Sequence, residues 1–406
     1  MAHHRYDVIV VGARCAGSPT AMLLARKGYR VLLVDRARFP SDTISTHLVH
    51  PPGVAALRNW GLLDRLIGTG CPPIDEYTFD FGVLTITGAP GTADSPVSYA
   101  PRRTVLDGLL VEAAAESGAE IREAFTVTEL VFEGEHVAGI RGHTREGSTV
   151  TERAPVVVGA DGLRSLVAST VRPDRYRDKP RLLCGYYSYW SGLPMDGGFE
   201  TYVRPDRAFA AWPTNDDLTL VVGGWPFAEF ETNKRDLEAN FLAMFDLAPP
   251  FAERIRAATR VERIFGAAVP NYFRKPYGPG WALVGDAGYN KDFITAQGIQ
   301  DAFRDAERCS AALDESLSGT RSFDDAMADY QAARDGEALP MYEFTTQLAT
   351  LEPPPPDLER LLGAIHGDQE AMNWFARINS GVDSAAELFA EANALAAAEG
   401  ASGRCD

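Results

Sequence analysis

The residues with the clearest chemical purpose are glycines and carboxylates at the ends of apolar runs. Gly12-Ala13-Arg14-Cys15-Ala16-Gly17 follows the apolar run 6–11 and precedes a helical stretch, 18–27. A strand, a glycine turn and a helix N-terminus in succession make a cradle for a dinucleotide pyrophosphate. The glycines let the backbone approach, and free helix N–H groups and the helix dipole stabilise the charge. Asp35 closes the next apolar run, 30–34. A carboxylate there accepts hydrogen bonds from ribose hydroxyls and repels a 2′-phosphate, so the site favours FAD or NAD over NADP. Arg14 replaces the middle glycine of the GxGxxG pattern; its side chain is free to reach a phosphate or to turn to solvent.

Two further turns have the same character. Val156-Val157-Val158 runs into Gly159-Ala160-Asp161-Gly162, and Trp281-Ala282-Leu283-Val284 into Gly285-Asp286-Ala287-Gly288. Gln297-Gly298 then opens a long helix, and Arg103 stands three residues before Leu106 at the head of another. Taken singly, each of these is an ordinary turn or helix cap; Asp161 in particular is placed to cap a helix beginning near Leu163. Taken together and in this order, they resemble the p-hydroxybenzoate hydroxylase-like family of single-component FAD-dependent monooxygenases. GARCAGS and GDAGYNKD are similar to a bacterial subgroup of FAD-dependent oxidoreductases related to geranylgeranyl reductases. The resemblance implies that Gly12, Ala13, Arg14, Ala16, Gly17, Asp35, Arg36, Arg103, Asp161, Gly162, Gly285, Asp286, Gln297 and Gly298 hold FAD. It also implies NAD(P)H as a transient hydride donor, O2 as co-substrate, and oxygen transfer to a small molecule through a flavin C4a-hydroperoxide. The sequence departs from the family where Phe293 follows Asp292 in place of the usual proline.

The expected substrate surface is the aromatic stretch 182–225. Tyr187, Trp190, Tyr202, Trp212 and Trp225, with Phe293 from the flavin-facing loop, are the candidates there, although most aromatics in such a stretch pack as sheet core. His47, in the loop before the helix at Pro51, is the candidate for proton transfer. Three other activities compete with oxygenation. Phe209-Ala-Ala-Trp212-Pro213 loosely resembles the YxWxFP segment of geranylgeranyl reductases, which saturate isolated double bonds. A flavin-dependent halogenase lacks its WxWxIP segment and an identifiable catalytic lysine here. A flavoprotein that only sequesters a ligand is the non-enzyme alternative.

The elements that position these residues follow from the pattern of the chain. Strand–helix–strand at the N-terminus and strands feeding the two later glycine–aspartate turns predict an α/β fold. This is a Rossmann-like FAD-binding domain assembled from separated segments, with an inserted, mostly antiparallel β-sheet substrate domain and C-terminal helices. Residues 1–73, 101–180 and 262–345 are assigned to the first, 74–100 and 181–261 to the second, and 346–406 to the helical tail. A single helix is expected over 51–66. The 406 residues carry a net charge of −17, which argues against nucleic-acid partners. No run is long enough to span a bilayer, the N-terminus does not read as a signal peptide, and five scattered cysteines predict neither disulfides nor a metal site, all consistent with a cytoplasmic enzyme. The oligomeric state is left open.

Overall fold

The computed structural model describes residues 5–402; residues 1–4 and 403–406, with Cys405, lie outside the described residues. Five strands run parallel in the order Trp281–Leu283, Val156–Gly159, Val8–Val11, Val31–Val34 and Glu120–Arg122, with Tyr277–Gly278 antiparallel at the first edge. The strands Val8–Val11, Val31–Val34, Val156–Gly159 and Trp281–Leu283 are wholly buried, as expected when both faces of a sheet are covered. Helices Gly17–Arg26, Arg103–Glu116 and Gly298–Leu317 pack on one face around Leu24, Leu110 and Phe303. The three-stranded sheet of Thr126–Glu133, His136–His143 and Thr149–Arg153 covers the other through Leu130, Val137 and Ile140. Because the strands are parallel, their C-terminal ends reach one edge together. All three glycine turns and Asp35 therefore meet there.

A second sheet, eight-stranded, is built from Leu183–Ser191, Leu218–Pro226, Arg207–Pro213 and Gly198–Arg204 in antiparallel order. Glu76–Asp80 adds in parallel to Gly198–Arg204 and Thr85–Gly88 closes that edge, while Thr259–Arg260 and Phe265–Ala267 pair with Leu183–Ser191 at the other. Side chains alternate between its faces with a period of two. Tyr77, Tyr187, Tyr189, Phe199 and Trp212 share one face with the C-terminal helices Pro356–Ile365 and Gln369–Ser380. Tyr186, Trp190, Tyr202, Phe209 and Trp225 share the other with Leu237–Met244 and Pro249–Ala257.

The segment expected as one helix over 51–66 is two, Pro51–Asn59 and Leu63–Ile67. Gly61 takes φ 76° between them, a left-handed conformation that ends a helix and that glycine adopts without strain. The helix expected from Leu106 starts at Arg103.

Candidate active site

At the shared edge the glycine turns interlock. A Cβ on Gly12, which has φ 104°, would lie 2.4 Å from the Ala160 carbonyl oxygen, and one on Gly17 would lie 1.7 Å from the Gly12 oxygen. A Cβ on Gly285 would meet the Ala16 methyl at 2.9 Å. The phosphate turn is thus wedged between the other two turns, and only glycine fits at these three positions. Asp35 accepts hydrogen bonds from the backbone N–H of Ala13 at 2.8 Å and of Ala37 at 2.7 Å, which ties the second strand to the turn. Arg36 lies just outside, exposed. Arg14 turns neither to solvent nor freely toward a phosphate. It donates to the Ser41 hydroxyl at 2.7 Å and to the Asp42 carbonyl at 3.2 Å, and it pairs with Asp107.

Arg103 is the centre of the electrostatics. It is 8 % exposed and donates to Asp107 from Nε at 3.0 Å and from Nη2 at 2.9 Å. Its charge acts on Cys15 in the phosphate turn, on Asp286, on His47 and on Tyr187, so one side chain links the turn, the third motif and the second sheet. Asp286 has access to water in the cleft but is ringed by protein, and that enclosure pushes its carboxyl up to about 6 against the pull of Arg103. Asp305 fixes the Asp286 turn by accepting from the Gly285 N–H at 3.0 Å. Asp161 does cap a helix, at Leu166, whose N–H it receives at 2.6 Å. Among the described residues its other oxygen is buried without a partner. Gln297 donates to the Asn379 carbonyl at 2.7 Å, which binds the head of the long helix to the C-terminal region, while Gly298 faces open space.

These residues fit an FAD. Among the described residues no protein donor reaches the Asp286 carboxylate; Gly162 and Gly298 leave room beside the backbone, and the turn at Gly12–Gly17 presents helix N–H groups. Gly12, Ala13, Ala16 and Gly17 would receive the pyrophosphate, Asp35 the ribose, and Asp286 the ribityl chain.

The two histidines of the 42–50 loop differ sharply. His50 is saturated: Tyr77 bonds Nδ1 at 2.7 Å and the Thr295 carbonyl bonds Nε2 at 3.1 Å. Burial pushes its pKa down to about 4. His47 is fully buried with φ 63°, a conformation that costs a non-glycine residue about 1–3 kcal/mol. Its Nε2 bonds the Tyr189 hydroxyl, while among the described residues Nδ1 has no partner. Burial, reinforced by Arg103 and Arg102, holds its pKa well below the usual imidazole range, so it is neutral.

Of the proposed substrate aromatics, Tyr187 and Trp212 share the His47 face, and Phe293 lies against Gly185 on that face. Trp190, Tyr202 and Trp225 point to the opposite face, beneath the outer helices, so they do not share a surface with Tyr187 and Trp212. Alternation along Leu183–Ser191 separates Tyr187 from Trp190; the other three stand on different strands, and their faces depend on the register between them. Tyr189, another aromatic of the expected 182–225 surface, lies under the Arg102 guanidinium at 4.3 Å. Asp107 is missing from the sequence-derived set. Asp107 lies four residues after Arg103 on one helix, a spacing at which an ion pair is readable.

A parallel nucleotide sheet with interlocked glycine turns, accompanied by a separate eight-stranded sheet, is the framework of a flavin-dependent oxidoreductase. The FAD binding domain family model matches residues 5–344, and the chain belongs to that family. It is 32% identical over 310 residues to digeranylgeranylglycerophospholipid reductase 1 of Methanococcoides burtonii, covering 73% of this chain and 72% of that one. It is also 32% identical over 218 residues to the phenazine 1,6-dicarboxylic acid hydroxylase PhzS of Lysobacter antibioticus, about half of each protein. The fold is shared with the myxobacterial chondrochloren halogenase CndH, with TM-score 0.80, 23% identity, and 93% of this chain and 98% of that one covered. Among the described residues no helix is long and apolar enough to cross a membrane.

Proposed function

We propose that this FAD-dependent oxidoreductase is a monooxygenase, a hydroxylase or epoxidase, that uses NAD(P)H and O2 on a flat aromatic or hydrophobic small molecule. The observation that carries the reading is the face shared by His47, Tyr187 and Trp212, an aromatic wall with one neutral imidazole set into it. When bound, the flavin would accept the hydride and deliver the reactive oxygen. The protein's share is orientation and exclusion of water. Tyr187 stacks on Phe265 at 5.3 Å between ring centres and stands edge-on to His47, so a planar ring lying against this wall meets hydrocarbon. His47 holds or passes a proton at Nδ1, the nitrogen that no group among the described residues engages, while Tyr189 fixes the ring through Nε2. The half-length similarity to a phenazine hydroxylase supports the same assignment.

The longer match to a lipid reductase favours a second reading, reduction of an isolated double bond. Halogenation is less well supported. Lys291, the buried lysine beside the flavin loop, is bound to Asp301 and to the Tyr289 hydroxyl and is not free to carry a halogen. Incubating the purified yellow protein with NAD(P)H and an aromatic library under 18O2 tests the proposal. Label in a product supports it; product formed without O2, and no label in any product, overturns it in favour of the reductase.

A further inference from the structure

Arg14 stands where the GxGxxG pattern has its middle glycine, and its contacts converge on one stretch of chain. The guanidinium donates to the Ser41 carbonyl at 3.3 Å, to the Ser41 hydroxyl at 2.7 Å and to the Asp42 carbonyl at 3.2 Å. It also lies over the Phe39 ring, 5.4 Å from its centre. Its remaining partner is Asp107, whose side chain is wholly buried and is also engaged by Arg103 and the Cys15 thiol. The anchor is therefore rigid, and the stretch it holds is not. Residues 35–48 form no helix or strand, and Asp42 and Ile44 are exposed. Among the described residues, the hydrogen bonds that join residues 40–44 to the rest of the chain all come from Arg14. An ion pair between Asp42 and Arg102 at 3.6 Å is the other polar tie.

The same stretch delivers His47. Its left-handed backbone, φ 63°, persists only where the surroundings over-determine it. Tyr189 holds the ring through Nε2, and the Ser45 hydroxyl accepts from the His47 N–H at 3.0 Å. Neither contact fixes the course of the chain between Phe39 and Ile44. Arg14 does. We propose that Arg14 is a positioning residue, a latch that ties residues 39–42 to the phosphate turn and to Asp107 and so keeps His47 buried in its strained pose beside Tyr187 and Tyr189. Arginine suits the task because its planar fork reaches several oxygens at once, which the single nitrogen of a lysine does not. The glycine turn thereby gains a mechanical connection to the imidazole. The inference rests on the reading of His47 as the group that faces substrate, and it names the residue that holds it there.

The test uses the flavin-loaded protein and two variants. Arg14→Gly restores the GxGxxG pattern; Arg14→Lys keeps a charge opposite Asp107 and loses the fork. Thermolysin cuts before an apolar residue such as exposed Ile44 once the loop opens, and mass spectrometry places the cut. Both variants are expected to be cut there at least about tenfold faster than the wild type, the effect of losing one hydrogen bond from a charged group. Nuclear magnetic resonance of labelled histidine rings, with His47 identified by its loss in His47→Gln, gives the second readout. Tyr187, Tyr189, Arg102 and Arg103 face this ring. In the wild type it is expected to stay neutral between about pH 5 and 8, and in both variants to titrate within that range, toward the free-imidazole value of about 6.5. Cutting at the wild-type rate, or an imidazole that stays silent in both variants, overturns the latch. Loss of flavin with unchanged cutting overturns it too, because Arg14 then serves the phosphate. If His47→Gln turns over like the wild type in the 18O2 assay, the proton-transfer reading fails, and the cutting and the titration still decide what Arg14 holds.

Discussion

Replacing Gly17 by alanine adds a carbon 1.7 Å from the Gly12 oxygen and 3.0 Å from the Ala160 methyl. Nonbonded carbons settle at about 3.5–4.0 Å, so the phosphate turn and the strand end beside it must part by well over an ångström. Neither obstacle in the turn is a flexible side-chain tip; the nearer one is backbone. Overpacking typically costs about 1–3 kcal/mol, and this clash belongs at or above the upper end, about 3 kcal/mol or more. Gly108→Ala is the matched control. It lies within the helix Arg103–Glu116 with nothing within 4 Å of its added carbon, so it is expected to stabilise by about 0.5–1 kcal/mol through helix propensity. Urea unfolding followed by circular dichroism, with the ratio of absorbance at 450 and 280 nm for bound flavin, measures both. A Gly17→Ala protein with a wild-type midpoint and full flavin would refute the packing argument. Equal destabilisation by Gly108→Ala would refute the assignment of the loss to the turn.

Three further outcomes are expected. Asp107→Ala leaves Arg103 buried without its carboxylate and should cost about 3–5 kcal/mol in urea unfolding, with a matching drop in retained flavin. Burial pushes the Asp292 carboxyl up to about 7, whereas in the unfolded chain it lies near 3.9. The folded state therefore binds more protons between these values, and the stability linked to this group is full below pH 4 and lost as pH rises through 7. Asp292→Asn keeps an oxygen for the Ile294 N–H, bonded at 3.1 Å, so it should match wild type at pH 4 and exceed it by on the order of 3 kcal/mol at pH 8; equal stability at both pH values would sink this account. Phe375→Ala removes a ring 4 % exposed that packs edge-on to Phe79 at 5.1 Å. It should cost about 3–5 kcal/mol, read as a lower urea midpoint.

Much of the flavin architecture was legible because it is local. A buried strand, a glycine turn and a carboxylate at the next strand end can all be read within about thirty residues, and the same grammar recurs at Asp161 and Asp286. What could not be read is what depends on packing between distant segments. Arg14 carries no mark in the sequence of its tie to Asp107 and Ser41. Gln297 gives no sign that it will bond a carbonyl more than eighty residues later. The substrate aromatics show a different limit. Composition singled out Trp190, Tyr202 and Trp225 alongside Tyr187 and Trp212, but alternation within each strand and the register between strands divide them between two faces. The distinction between His47 and His50, one with a nitrogen free and the other with both bonded, arises only from tertiary contacts with Tyr77, Tyr189 and Thr295.

The strand order of the nucleotide sheet bears on how the protein is made. Val156–Gly159 pairs with Val8–Val11 on one side and with Trp281–Leu283 on the other. At about 5–20 residues per second, the ribosome needs roughly a quarter of a minute to a minute between the first of these strands and the last. Until then the 156–159 strand keeps an unpaired, apolar edge, and the Asp286 turn that completes the cradle does not exist. The nascent chain cannot bring the Asp286 turn to the Gly12–Gly17 turn before residue 286 has been synthesised, so closure of this edge is a late event, and the half-built sheet is the stage most exposed to aggregation.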